Sequence, residues 1–125
     1  MKSFSKQFWH FMLCVFFISA LSACASKQSI NLKIHTDPEG SHVVYSVSGY
    51  SAETPAKWIY LGVTPFKGMT VFEKDAFDSD SKISIKVMQN GYLDQVKEWS
   101  GDKFLRESNE NNMIFWTPHL VRSSM

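Results

Sequence analysis

The sequence predicts an all-β domain, a small two-sheet β-sandwich of about seven short strands. Two observations carry that expectation. Segments 30–36, 42–47 and 82–88 alternate apolar and polar residues at period two, as strands with one buried face do. Between and after them, clusters of Pro, Gly, Asp and Asn at 37–40, 62–65 and 90–91 punctuate the chain where turns are needed.

The segment ahead of this domain reads as an export signal. Lys2 and Lys6 supply a positive start, and Phe8 to Ala20 is a 13-residue, mostly apolar run. As a helix it would rise about 20 Å, short of a bilayer core of about 30 Å. Leu21-Ser22-Ala23-Cys24 then resembles the lipobox of bacterial lipoproteins. The resemblance implies that residues 1–23 form a helical signal peptide that is removed and that the Cys24 sulfur takes a diacylglyceryl group. Each buried methylene is worth about 0.8 kcal/mol, so two or more chains make a stable membrane anchor. Residue 25 is Ala rather than Asp, which in a Gram-negative host implies the outer membrane, with the domain facing the periplasm. Residues 24–29 are then a tether, 30–118 the sandwich and 119–125 a frayed tail.

Within the sandwich, Ile30 to Thr36 is a half-buried strand that stops at Asp37-Pro38-Glu39-Gly40. Those residue types suit a type I turn, because Pro pre-sets φ near −65° and Asp can bond the backbone ahead. His42 to Val47 follows, with Val43, Tyr45 and Val47 on one face, so the two strands are expected to pair as a hairpin. Lys57 to Val63 is apolar on both faces, which suits a central strand covered on both sides or a strand at a sandwich corner. Its alternative is an exposed contact patch made by Trp58 and Tyr60 beside the loop that holds Tyr50, since aromatics bury large area with few rotatable bonds. Met69 to Glu73 is a short strand, and Asp75 to Ser81 an acidic loop. Lys82 to Met88 alternates most cleanly, with Ile83, Ile85 and Val87 inward. Tyr92 to Trp99 returns as its partner strand, with a helical face of Leu93, Val96 and Trp99 as the alternative; Gly101 to Asn112 reads as polar loop, and Met113 to Pro118 as a last strand ended by proline.

Pro38-Glu39-Gly40-Ser41, Gly62-Val63-Thr64-Pro65 and Asn90-Gly91-Tyr92 together resemble the PEGA domain family, with Ser41 in place of its usual Ala. The resemblance covers about residues 30 to 99 and implies an immunoglobulin- or transthyretin-like sandwich that serves as an envelope attachment module. The stretch from Ser48 to Lys57 is longer than that family's tight connection.

Charge and side-chain inventory narrow the function. Removing Lys2 and Lys6 from 13 basic side chains leaves 11 against 12 acidic ones, a net charge of −1. The lysines are spread singly, so no cation cluster offers itself to nucleic acid. Cys14 leaves with the signal and Cys24 carries lipid, so no disulfide staples the domain and its apolar core must hold it. Three Asp in the 75–81 loop miss the calcium-loop spacing. His35 and His42 flank the first turn with Asp37 and Glu39, but without zinc-site spacing, so no metal or other cofactor is assigned. No nucleophile elbow, phosphate-cradling glycine loop or paired carboxylate cleft is apparent, and no catalytic residue is assigned. The expectation is a non-enzymatic lipoprotein held to a membrane at Cys24, which binds an envelope protein or peptidoglycan through Trp58, Tyr60 and Tyr50. Its alternatives are a structural subunit of an envelope or secretion machine and a glycan-binding domain.

Overall fold

A computed structural model describes residues 26–49 and 57–124. Cys24, Tyr50 and the expected signal peptide lie outside the described residues. Among the described residues seven strands form two sheets: β1 (Lys27–Ile34), β2 (His42–Ser48), β3 (Ile59–Val63), β4 (Phe66–Glu73), β5 (Lys82–Met88), β6 (Gln95–Ser100) and β7 (Ile114–Trp116). One sheet has the order β4-β1-β7 and the other β3-β2-β5-β6. The architecture is thus the small all-β two-sheet sandwich the period-two pattern predicts. β1 starts at Lys27, so strand structure reaches into the stretch expected to be tether.

The inward residues are those the alternation marks. Ile30, Leu32 and Ile34 of β1 face Val43, Ile83, Ile85 and Val87 of the other sheet, and all are buried. Tyr45, Phe72, Phe104 and Trp99 form an edge-to-face chain with successive ring centroids 5.4 Å apart. Such contacts add about 0.5–1.5 kcal/mol each beyond burial. They link both sheets to the helix that follows β6.

That helix, α1 (Gly101–Asn111), corrects the loop expected there. Only Phe104 and Leu105 of its inward stripe are strongly apolar, with Gly101 and Ser108 completing the i, i+3, i+4, i+7 spacing. The buried face is too narrow for composition to reveal. The helix ends at Asn112, which adopts the left-handed conformation (φ 61°) that closes many helices.

The expected hairpin of β1 and β2 does not form. β1 pairs antiparallel with β4 and parallel with β7, while β2 pairs antiparallel with β3 and β5. Asp37 to Ser41 instead carries the chain from one sheet to the other, with a cis Asp37–Pro38 bond in place of a type I turn. Each sheet thereby points one face at the other, which buries both apolar sets.

Three further expectations are corrected. β3 is an edge strand rather than a central one. The 75–81 loop contains a 3-10 turn, Lys74–Phe77, that buries Ala76 and Phe77 under the sandwich. The tail does not fray before residue 124: Asp37 and His119 bridge, as do Tyr92 and Arg122, and Leu120 is buried. No described helix is long and apolar enough to cross a membrane.

Candidate functional site

β3 sets the geometry of the candidate site. It pairs with β2 so that Tyr60 lies opposite Val44 and Ile59 opposite Tyr45. Val44 in turn pairs with Lys86, and Lys86 with Val96, so Tyr60, Val44, Lys86 and Val96 form a row across the outer face of the four-stranded sheet. Trp58 is 40% exposed and Tyr60 57% exposed. The structure brings the two together on one strand end, whereas Tyr50 falls outside the described residues.

Neither ring is loose. The Tyr60 hydroxyl shares a 3.0 Å hydrogen bond with His42 Nδ1, and the two rings lie 5.8 Å apart. Lys86 Nζ stands 4.8 Å from the centroid of Trp58, a cation–π geometry that holds one face of the indole. The platform therefore presents rigid aromatic area at little conformational cost on binding.

Beside it the inner face of β3 opens into a cavity of roughly 680 Å³, which sequence reasoning missed. Tyr45, Val47, Ile59 and Phe72 supply its apolar walls, and Glu73, Asp75, Asp78 and Asp80 are on its lining with Lys57. Val47 faces inward as expected yet is 38% exposed because it borders this opening. The available signal was the run Trp58-Ile59-Tyr60-Leu61, apolar at consecutive positions when a half-buried strand needs only alternate ones.

At the opposite end of the sandwich, Thr64 is the hub of a buried polar network. Its Oγ1 accepts from the backbone N–H of Gly40 (3.0 Å) and of Ser41 (2.9 Å), and its N–H donates to the Ser41 carbonyl at 2.8 Å. The proton count closes if Thr64 Oγ1 donates to Thr36 Oγ1 (2.7 Å), Thr36 Oγ1 to the Pro38 carbonyl (2.8 Å) and Ser41 Oγ to Gln89 Oε1 (2.9 Å). The segments 38–41 and 62–65 thus meet, and Gln89 joins them from 48 residues beyond its partner Ser41. These groups satisfy one another, so the cluster secures the fold and presents little free polarity.

The histidines separate. His35 Nδ1 lies 3.1 Å from Glu39 Oε1, His119 Nδ1 lies 3.1 Å from Asp37 Oδ2, and His42 meets Tyr60. Among the described residues no group of three or more His, Cys, Asp or Glu stands close enough to hold a metal ion.

The fold and this surface define a helix-buttressed two-sheet sandwich with an aromatic edge. No family model, curated protein or solved structure matches the chain.

Proposed function

We propose that this protein is a lipid-anchored module of the bacterial envelope that binds a protein or the cell wall without catalysis, through Trp58 and Tyr60. One observation carries the reading: two large aromatic rings stand exposed, yet held by His42 and Lys86, on an edge strand. Exposed aromatics of this kind are favoured as binding anchors. Two of the three segments behind the PEGA resemblance, 38–41 and 62–65, are bonded to each other through Thr64.

Anchoring at Cys24 would also orient the domain. Ser26, two residues on, accepts a hydrogen bond from the Lys74 N–H at the base of β1 and β4. The cavity beside the 3-10 turn would then sit near the lipid, and the Thr64 network roughly 25 Å away along β1.

The test combines mass spectrometry of the mature N-terminus with a Cys24→Ala variant and crosslinking from membranes. The expected result is an acylated Cys24, release of the variant into soluble fractions, and capture of an envelope partner that Trp58→Ala weakens. An unmodified N-terminus removes the anchor, and capture indifferent to Trp58→Ala removes the aromatic site.

A further inference from the structure

The two lateral sides of the sandwich differ. On one, the chain leaves β6, forms α1 and enters β7, so a helix bridges the edges of both sheets. On the other, β3 and β4 are joined at one end alone, by Thr64 and Pro65. There the Phe66 ring lies 3.1 Å from where Gly62 and Gly68 would each carry a Cβ, so the sheets close tightly on it. Toward the other end they part. Ile59 faces inward opposite Tyr45, yet it remains 44% exposed at the mouth of the cavity.

Backbone chemistry sharpens the contrast. Among the described residues β3 pairs with β2 alone and β4 with β1 alone, so each offers a free edge beside the same opening. Edge strands are normally guarded by charges or proline. β6, at the far edge of the same sheet, carries Lys97 and Glu98. β3, with the sequence Ile-Tyr-Leu-Gly-Val, carries no charge at all.

We propose that the β3 edge receives an extended segment of a partner protein as an added strand. Alternate apolar side chains of that segment enter the cavity, and a Lys or Arg at its end meets Asp75, Asp78 and Asp80. Main-chain pairing supplies affinity in this mode and the pockets for alternate side chains supply selection. The rim favours positive charge: among the described lining residues Lys57 is the one cation, and with Glu73 already paired to Lys27 at 3.9 Å, Asp75, Asp78 and Asp80 remain to receive another. The β3 backbone of a second copy could pair here, but that strand carries no cation to meet the acidic rim. The inference rests on the reading of the chain as a protein-binding module.

The experiment uses the full chain in detergent micelles with two fluorescein-labelled peptides, one alternating Val and Lys, the other alternating Val and Glu. The Val–Lys peptide is expected to bind at least about tenfold more tightly. The combined variant Asp75→Asn, Asp78→Asn, Asp80→Asn should abolish that preference. Ile59→Lys, which places a charge on the edge at an exposed position, should weaken binding by about tenfold or more with an unchanged unfolding midpoint. If Ile59→Lys fails to fold, the Asn variant still decides the matter. Absence of peptide binding, equal affinity for both peptides, or indifference to both variants overturns the proposal. So does self-association in sedimentation that Ile59→Lys abolishes, which would assign the edge to a second copy. None of these outcomes depends on Cys24 acylation, so a failed anchor and a failed strand site are told apart.

Discussion

The indole N–H of Trp99 donates to Glu107 Oε2 at 2.7 Å, which ties the end of β6 to the middle of α1. Trp99 also packs edge-to-face on Phe104, so one residue of the sheet is held by two turns of the helix. Replacing Glu107 by Ala leaves the indole N–H without this acceptor. We expect a loss of about 1–2 kcal/mol in denaturant unfolding, with Glu107→Gln recovering most of it, since an amide oxygen still accepts. A loss by Ala that Gln does not recover would place the effect in charge rather than in the hydrogen bond.

Thr64 is a second such point. Thr64→Val keeps the shape but removes the acceptor for the Ser41 N–H, which belongs to a fully buried residue. An unsatisfied buried donor costs about 1–3 kcal/mol, so the melting temperature should fall by several degrees, while Thr64→Ser should stay close to wild type. Equal behaviour of the two variants would mean that the network adds nothing beyond packing.

Gly101 is needed for space. A Cβ there would lie 2.1 Å from the Ala76 carbonyl and 2.6 Å from that of Asp78, both backbone atoms that cannot step aside cheaply. Gly101→Ala should therefore cost about 3 kcal/mol or more, or prevent folding. Gly91 (φ 86°) gives the contrast: nothing stands within 4 Å of its Cβ position, and Gly91→Ala should cost only about 1 kcal/mol of backbone strain. Thermal unfolding of the pair checks the ranking.

Trp58→Ala should be mild. The ring is 40% exposed, and its contact with Lys86 is a surface cation–π pair worth about 0.5–1 kcal/mol. The unfolding midpoint should therefore move little while partner crosslinking falls. Collapse of the fold on this substitution would show that Trp58 belongs to the core.

Several elements were legible because they obey local rules. Lys82 to Met88 alternates without a break, and Ile83, Ile85 and Val87 are wholly buried. The turn segments 37–40 and 90–91 hold glycines at φ 105° and 86°, positions where other residues are strained. Trp58 and Tyr60 were nameable as a pair on one face because strand side chains repeat every second residue. The helix was not legible: its buried stripe rests on Phe104 and Leu105, and what confirms it is Gly101 against the 3-10 turn and Glu107 against Trp99.

Local pattern marks which strand residues face inward, where the chain turns, and that two apolar strand faces need an opposing layer. These depend on neighbours a few positions apart. Tertiary structure alone decided that β1 and β2 part into different sheets, that β3 lies at an edge, and that one side of the sandwich is closed by α1 while the other stands open. Strand partnership is chosen by the summed burial of distant segments, and period-two patterns are the same for every partner a strand can take.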